Sequence, residues 1–281
     1  MSNSVLRKLI NVVRTARSEV PVYRDLYERC ENIYSLEDFS GLPIVAKSVL
    51  AKVGLIQSIS SKQTLCITRT YGSEPQLEHH MPKLLSLEDV NSDFDLLRFF
   101  MDPVIQRAVQ PQRIMIITDD LHLYAAAELG NQLTYYEWPL TLFTASNESR
   151  SELSSYLRWF EPTVMFLDAD KTLLEGMGHP SLKYIFTFNQ IGRGPEIRHI
   201  NHIYDILRDE LAGPIAIACD RSYQYIFDSS LFYFETGQDG RLLVTSLFNQ
   251  LQPLIRYALP YTATLLSSST FRIDPNSLDN V

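Results

Sequence analysis

The chain has 281 residues, of which 45% are hydrophobic and 21% are charged, and its formal net charge is −8. This composition is that of a globular protein with either one large domain or two small ones. The acidic balance and the scattered lysines and arginines leave no basic stripe, which excludes nucleic acid as a partner.

The three cysteines, Cys30, Cys66 and Cys219, are too far apart for a C-x-x-C motif. We therefore expect neither a zinc site nor a disulfide framework, and a reducing cytoplasm as the location. The N-terminal segment lacks the long apolar run and the cleavage site of a signal peptide, and no stretch reaches the ~18 apolar residues of a membrane span. The sequence thus predicts a protein without a membrane segment.

The first 60 residues favour helices. Apolar residues recur at helical spacing from Val5 to Ser18, a second short helix is expected after Pro21, and Ser35 is placed to cap a third. A short strand, Leu65 to Ile67, then leads into a loop from Thr68 to Pro75.

Helical and strand patterns alternate between residues 88 and 188. The predicted helices are Glu88–Met101, Leu121–Gly130 and Ser149–Phe160, and the predicted strands are Arg113–Ile117, Leu133–Trp138, Val164–Leu167 and Tyr184–Phe188. Strands separated by helices indicate a largely parallel sheet that is covered on both faces. Ligands of such sheets bind beyond the carboxyl ends of the strands, here Thr118–Asp120, Asp168–Asp170 and Asn189–Gln190. The acidic residues there would bind a metal, act as a base or cap the helices that follow.

A long helix is predicted from Pro195 to Leu211, with the proline in its first turn. His199 and His202 would share one face of this helix and form part of a metal site, although no third ligand is evident.

The segments after this helix alternate like antiparallel strands, namely Gly213–Asp220, Gln224–Phe227, Leu231–Glu235 and Arg241–Leu247. Gly237 and Gly240 bracket a turn. Pro253 to Tyr257 begins a short extended run, in which Arg256 follows two apolar residues. A guanidinium there is either paired inside the protein or directed at an anionic ligand.

Two segments at opposite ends of the chain carry motifs. Near the C-terminus the sequence is G-R-L-L-V-T-S-L from Gly240 to Leu247, followed by P-L-I-R-Y from Pro253 to Tyr257. The N-terminal segment follows the pattern P-x-Y-R … L-P-x-x-x-K-x-x-L, and its matching positions are Pro21, Tyr23, Leu42, Pro43, Lys47 and Leu50. In this order the segments resemble the adenylate-forming ligases, specifically their phenylacetate–CoA ligase-like branch.

The resemblance implies the fold of the large N-terminal domain of these ligases, which has layered α/β subdomains with a largely parallel sheet and a small β-rich subdomain. Residues 1–265 would form it, with a helical lead-in at 1–60, an α/β part at 61–212 and a β-rich part at 213–265. Residues 266–281 are polar and would be a short tail that frays after a last strand at Phe271–Ile273. The C-terminal lid domain of the family would be absent.

The resemblance also implies sites. Family members join a carboxylic acid to ATP, release pyrophosphate and pass the acyl group to coenzyme A or a carrier thiol. Their phosphate-binding loop, T-S-G-T-T-G-K-P, falls on Thr68 to Pro75, so the candidates for binding phosphate or nucleotide are Thr68, Arg69, Thr70, Gly72 and Ser73, together with Arg256. By order, Glu210 falls where the family has the glutamate that holds Mg²⁺. From the residues alone, an ordinary turn at 68–75 and a charge without function at Glu210 stay open.

Three features depart from the family pattern. Glu74 stands where the loop has lysine, and a carboxylate 4 Å from a phosphate charge costs about 1 kcal/mol in water and more when desolvated. Tyr261 stands where the family has the aspartate that binds ribose, and the lid is absent. Losing one good electrostatic donor typically slows catalysis about 10²–10³-fold, so we expect impaired autonomous adenylation.

The expected function is that of a diverged, truncated ligase-like protein that handles an aryl or acyl carboxylate, or its activated form as acyl-AMP or acyl thioester, in biosynthesis. The resemblance implies ATP or AMP with Mg²⁺, and coenzyme A or a carrier-protein thioester, with a carrier protein or partner enzyme as partner. Two alternatives stay open. One is an inactive homologue that acts as a binding or scaffold partner, also as a homodimer, and the other is an adenylating enzyme with altered ATP contacts.

Overall fold

The computed structural model describes residues 3–30, 32–60, 67–69, 83–107, 111–119, 122–145, 150–174, 179–191, 200, 202–219, 222–248 and 251–280. The α-helices in these ranges are α1 (Asn3–Glu19), α2 (Pro21–Leu26), α3 (Leu36–Ser40), α4 (Lys47–Val53), α5 (Leu87–Ile105), α6 (Leu123–Leu133) and α7 (Arg150–Phe160). The strands are β1 (Ile67–Arg69), β2 (Lys83–Leu85), β3 (Ile114–Thr118), β4 (Leu140–Thr144), β5 (Val164–Asp168), β6 (Tyr184–Phe188), β7 (His202–Asp209), β8 (Gly213–Cys219), β9 (Gln224–Ile226), β10 (Phe232–Thr236), β11 (Arg241–Ser246), β12 (Tyr257–Ser267) and β13 (Thr270–Ile273).

One sheet of 11 strands forms the centre of the molecule, in the order β10-β11-β12-β13-β9-β8-β7-β6-β5-β3-β4. Strands β3 to β7 run parallel to their neighbours, and antiparallel pairing begins between β7 and β8. The direction changes at a turn over residues 210–212. The predicted α/β fold class, with a parallel part and a β-rich part, is confirmed, and the two parts are joined in one continuous sheet.

The parallel strands are buried on both faces, which explains their continuous apolar sequences. Alternate residues of β3 and β5 enter two different cores. One core contains Ile114, Ile116, Val164 and Phe166 with the apolar side of α5, and the other contains Met115, Ile117, Met165 and Leu167 with Leu153 and Leu157 of α7. Each buried Å² of apolar surface stabilises the folded state by about 25 cal/mol. Since both faces of the sheet bury apolar side chains, packing on both sides stabilises it.

Several local predictions are confirmed. Helix α1 covers the predicted Val5–Ser18, and Ser35 caps α3, because its Oγ accepts a hydrogen bond from the amide of Asp38 at 3.1 Å. Residues 270–273, which include the predicted last strand, form β13 and pair with β12 on one side and β9 on the other. Phe271 and Ile273 are fully buried there, so this segment belongs to the sheet.

The predicted helix from Pro195 to Leu211 is wrong over residues 202–209, which form β7. Its other part, residues 195–199 and 201, lies outside the described residues. Asp205 and Arg208 interrupt the apolar pattern of β7 and gave it an apparent helical spacing. The strand accepts both because each finds a buried partner in the fold. The metal site at His199 and His202 loses its basis, since His202 lies on a strand and stacks on Tyr184 with 5.5 Å between ring centroids.

The predicted strand Leu133–Trp138 is also wrong. Helix α6 continues to Leu133, a 3₁₀ turn follows at Thr134–Tyr136, and the strand β4 begins only at Leu140. The aromatic residues that suggested a strand instead pack on each other, with Tyr136 stacked on Trp138 at 5.3 Å. Glu137, at φ 55°, ends the helical segment in the left-handed region.

No helix within the described residues is long and apolar enough to cross a membrane. The two cysteines in the described part of the chain, Cys30 and Cys219, form no disulfide. Cys66 lies outside it.

Candidate functional site

The motif segments from the two ends of the chain lie against each other. The hydroxyl of Tyr23, in α2, donates a hydrogen bond to the carbonyl oxygen of Pro253 at 2.9 Å. Val45 pairs with the start of β12, because its amide donates to the carbonyl of Arg256 at 3.1 Å and its carbonyl accepts from the amide of Ala258 at 2.9 Å. The segments that carry the sequence resemblance therefore form one structural unit.

Arg256 lies inside this unit and is 6% exposed. Its Nε donates to Glu235, its Nη1 donates to the carbonyl of Leu42, and its amide donates to Thr245 Oγ1 at 2.9 Å. Its φ of 48° lies in the left-handed region, where a residue with a side chain needs support from its surroundings. Of the two alternatives for this guanidinium, pairing inside the protein or binding an anionic ligand, the structure shows the first.

Glu210, the predicted Mg²⁺ ligand, lies in the turn directly after β7. Lys47, the first residue of α4, places its Nζ 2.6 Å from Glu210 Oε2, and the two side chains are 36% and 19% exposed. One motif lysine from the lead-in thus meets the carboxylate that the resemblance assigns to metal binding. The pairing is made possible by Val45, which fixes the start of α4 against β12.

Asp209 precedes Glu210 and holds the same turn, because its Oδ1 accepts from the amides of Leu211 and Ala212 at 2.8 and 3.0 Å. The hydroxyl of Tyr257 lies 3.5 Å from its Oδ2. Burial raises the pKa of Asp209, and the nearby charge of Glu210 adds to the shift.

Tyr261 joins this group of acids. Burial raises its pKa to about 12, and the negative charges of Asp209 and Asp205 add to the shift. The position that the resemblance assigns to a ribose-binding aspartate therefore lies near enough to Asp209 for their charges to interact, but it presents a phenol. A phenol cannot accept two hydrogen bonds from ribose hydroxyls as a carboxylate does.

Asp205, in the middle of β7, is the buried centre of a hydrogen-bond network. Its Oδ1 accepts from Thr187 Oγ1 and from the amide of Gln190, both at 2.8 Å, and its Oδ2 accepts from the hydroxyl of Tyr225 at 2.5 Å. Burial raises the pKa of Asp205, and these three hydrogen bonds oppose the shift. The carboxyl is thus fully engaged by the protein.

Arg208 and Asp168 form a buried pair with two parallel hydrogen bonds of 2.6 and 2.9 Å. The guanidinium also lies over the ring of Phe188, 4.7 Å from its centroid. Asn189 exchanges hydrogen bonds with the backbone of Arg208 at 2.7 and 2.8 Å. The carboxyl ends of β5, β6 and β7 are therefore joined by side chains that bind each other.

The other acids at this edge cap or turn the chain. Asp119 Oδ1 accepts from the amide and from Nδ1 of His122, at 3.0 and 2.7 Å, directly before α6. Asp170 Oδ1 accepts from the amide of Thr172 at 2.8 Å. Asp170 thus holds the start of the 3₁₀ turn at Lys171–Leu174, whereas Asp119 binds His122, the N-cap of α6, and does not cap the helix itself. Asp120 lies outside the described residues.

The phosphate-loop candidates are described only in part. Thr68 and Arg69 lie in β1, which pairs with β2 so that Thr68 faces Leu84 and Arg69 faces Lys83. Thr70, Gly72 and Ser73 lie outside the described residues.

A divalent cation does not fit the described residues around Glu210. No group of three or more histidine, cysteine, aspartate or glutamate side chains in the described ranges could hold a metal ion. Mg²⁺ requires oxygen ligands at 2.0–2.1 Å in near-octahedral geometry. The Glu210 carboxylate instead binds the ammonium of Lys47, and Asp209 is committed to the amides of its own turn.

Comparison with solved structures gives the fold a context. A 2-hydroxyisobutyryl-CoA ligase, in an open conformation in complex with 2-HIB-AMP and CoA, superposes with a TM-score of 0.66 at 13% identity, over 96% of this chain and 67% of that one. The chain has the fold of an acyl-CoA ligase. The same ligase in its postadenylation state with 2-HIB-AMP gives 0.65, also at 13% identity, over 96% of this chain and 66% of the ligase. No family model matches the sequence, and no curated protein matches it.

The chain spans about two thirds of the length of that ligase. Sequence reasoning missed Asp205, Arg208 and Tyr225 as members of this site. A signal was present, because Asp205 and Arg208 are charges within an otherwise apolar segment, and such charges are buried only when they are paired. Lys47 and Glu210 were both singled out in the sequence, but their pairing was not predicted.

Proposed function

We propose that this protein handles an aryl or acyl carboxylate, or its activated form as acyl-AMP or acyl thioester, and that it does not adenylate the acid by itself. The proposal includes the phenylacetate–CoA ligase-like branch as its origin. One observation carries it: within an acyl-CoA ligase fold, Glu210 is paired with Lys47 at 2.6 Å. Tyr261, which interacts electrostatically with the neighbouring Asp209, stands where the resemblance places an aspartate. On this proposal, the protein keeps the ability to bind the acyl group, while the contacts that the resemblance assigns to ATP are replaced.

The charge at the site supports this view. Lys47 and Glu210 neutralise each other, and burial raises the pKa of Asp205 and of Asp209, which favours their neutral forms. These four groups therefore offer no net positive charge to offset the several negative charges of a triphosphate, and each uncompensated like charge at 4 Å costs about 1 kcal/mol in water and more when desolvated. An acyl-AMP has one phosphate charge, so it is the better nucleotide ligand for this edge of the sheet. The thiol form would be coenzyme A or a carrier protein.

Calorimetric titration tests the proposal with three ligands: ATP, phenylacetyl-CoA and a hydrolysis-resistant phenylacetyl-adenylate analogue. We expect the adenylate analogue or the thioester to bind and ATP to bind at least about tenfold more weakly. We expect no acid-dependent release of pyrophosphate from ATP. Acid-dependent pyrophosphate release at rates typical of enzymes would refute the proposal in favour of an adenylating enzyme with altered ATP contacts, and binding of none of the ligands would remove it.

The phosphate-loop candidates are tested by R69Q. If Arg69 contributes to an anion site with Thr68, Thr70, Gly72 and Ser73, then R69Q weakens binding of the adenylate analogue. R241Q is the matched control, because Arg241 lies on β11 and its side chain is 50% exposed. Equal affinities of both variants and the wild type would assign residues 68–75 to an ordinary turn.

A specific observation favours the binding or scaffold function as the second candidate. On α7, Trp159 is 75% exposed and Tyr156 is 45% exposed, and they line an open cavity of about 310 Å³ together with Ser155. Exposed aromatic residues in one patch mark interaction surfaces. Glu152 and Arg158 lie three residues to either side of Ser155.

A second copy of the chain suits this patch because of that symmetry. If two α7 helices cross antiparallel at Ser155, Glu152 of each copy faces Arg158 of the other, and the exposed aromatic rings are covered. The test is light scattering of the wild type and W159S. A concentration-dependent dimer that W159S abolishes supports this function, and a wild type that stays monomeric at high concentration contradicts it.

A further inference from the structure

The ion pair of Lys47 and Glu210 has a consequence for the metal requirement of the site. Lys47 Nζ lies 2.6 Å from Glu210 Oε2, and the side chain of Glu210 is only 19% exposed. The ammonium therefore lies directly beside the carboxylate to which a cation would bind. Since Mg²⁺ keeps its ligands at 2.0–2.1 Å, a metal bound to Glu210 would lie within a few Å of the ammonium, and the two positive charges would repel each other.

The fold fixes both partners of this pair. Lys47 follows Val45, which is held by two backbone hydrogen bonds to the start of β12. Glu210 lies in the tight turn between β7 and β8, which is anchored by Asp209 through two amides. The backbone on both sides of the pair is therefore held in position by the fold, and the two side chains, 36% and 19% exposed, meet between these fixed points.

The pair also changes the local charge. A magnesium ion next to one carboxylate leaves a net charge of +1, whereas a lysine next to one carboxylate leaves zero. The other acids nearby, Asp205 and Asp209, have their oxygens directed to protein donors and tyrosine hydroxyls. They therefore supply no replacement ligands for a metal.

We propose that Lys47 supplies the positive charge that a divalent cation would bring to Glu210, so that this site excludes Mg²⁺ and binds its ligand without it. This inference deepens the proposed function and rests on it for the ligand, which is an acyl-adenylate with a single phosphate charge. The exclusion of the metal is a property of the protein alone and is tested without any ligand.

The first experiment follows Mn²⁺ binding by electron paramagnetic resonance in the wild type, K47Q, K47R and E210Q. We expect the wild type to have no Mn²⁺ site that depends on Glu210, so that E210Q leaves its Mn²⁺ binding unchanged. We expect K47Q to gain weak Mn²⁺ binding at Glu210 that the wild type lacks, because a unit charge next to the carboxylate is gone, and K47Q/E210Q to lose that gain. K47R keeps the charge and should behave as the wild type does. K52Q, an exposed lysine change on the same helix, is the matched control.

Two results would overturn the inference. One is a Mn²⁺ site in the wild type that E210Q abolishes, and the other is a folded K47Q without any gain in Mn²⁺ affinity. Circular dichroism melting establishes that each variant is folded. If K47Q does not fold, the comparison of the wild type with E210Q decides the question, because a wild-type Mn²⁺ site that E210Q removes overturns the inference.

The second experiment titrates the phenylacetyl-adenylate analogue in EDTA and in Mg²⁺. Equal affinities in the two buffers support the inference, and an affinity that rises about tenfold or more with Mg²⁺ in the wild type but not in E210Q overturns it. If the analogue does not bind in either buffer, the proposed function fails and the Mn²⁺ measurement alone decides the role of Lys47.

Discussion

The hydroxyl of Tyr23 donates a hydrogen bond to the carbonyl oxygen of Pro253, 230 positions away in the chain, at 2.9 Å. The same hydroxyl accepts a hydrogen bond from the amide of Ile255 at 3.2 Å. Its ring is fully buried, and burial raises the pKa of its hydroxyl. One hydroxyl thus satisfies two backbone groups of the segment that leads into Arg256. This contact links the two motif segments directly.

We expect Y23F to lower the free energy of unfolding in urea by about 1–3 kcal/mol, because an unsatisfied buried polar group costs that much. Y27F is a matched control. Tyr27 is equally buried, with its ring centroid 5.5 Å from that of Tyr23, and its hydroxyl has no hydrogen-bond partner among the residues that the structure describes. Y27F should leave the free energy unchanged or raise it, and equal losses in the two variants would contradict this assignment.

We expect R256M to lower the free energy of unfolding by about 3–5 kcal/mol, since removing one partner of a buried pair leaves the other charge uncompensated. Here the remaining charge is Glu235, whose pKa burial already raises against the effect of Arg256. In R256M/E235L both charges are gone and the loss should be smaller. R241M is the surface control, because Arg241 and Asp239 form an exposed pair at 3.5 Å, and such pairs contribute at most about 1 kcal/mol. A stable R256M that binds the adenylate analogue more weakly would instead make Arg256 a ligand residue.

Local patterns predict those parts of the fold whose residues need only their neighbours in the chain. Strand β6 agrees with its predicted bounds, Tyr184–Phe188, because five apolar or β-favouring residues in sequence leave no other periodicity. The cap of α3 follows from Ser35 and Asp38, which are three residues apart. These predictions require no knowledge of the tertiary structure.

Predictions fail where distant residues decide. Strand β7 was predicted as helix because Asp205 and Arg208 break its apolar run, and their partners, Tyr225 and Asp168, come from other strands. The candidate site follows the same rule. The resemblance identified the positions of Glu210 and Tyr261, but the pairing of Glu210 with Lys47 depends on how Val45 joins β12, which no local pattern records.

The Arg208–Asp168 pair gives a double-mutant prediction. R208M and D168L should each lower the free energy of unfolding by about 3–5 kcal/mol, because each leaves one buried charge alone. The double variant should lose less than the sum of the two, which measures their coupling. R208K should also be destabilising, since lysine cannot form the two parallel hydrogen bonds or lie flat on Phe188. Additive losses in urea unfolding would show that the two side chains do not act as a pair.

Asp205 predicts a pH dependence with a defined sign. Burial raises the pKa of its carboxyl in the folded protein, so the folded state holds this proton at pH values where the unfolded state has released it. The contribution of Asp205 to stability is therefore fully present below its unfolded pKa of about 4 and is lost as the pH rises through the folded value. In D205N this group no longer titrates.

The measurement is urea unfolding of the wild type and D205N between pH 4 and pH 8. As the pH rises, the wild type should lose stability relative to D205N, because only the wild type must ionise a carboxyl that lies among Thr187, Gln190 and Tyr225. D25N reports the effect of removing a carboxyl from an exposed position. The opposite result is a difference in the free energy of unfolding between wild type and D205N that stays constant over this range or grows in favour of the wild type. It would mean that the hydrogen bonds around Asp205 hold it as a carboxylate, in a site that is more polar than its burial indicates.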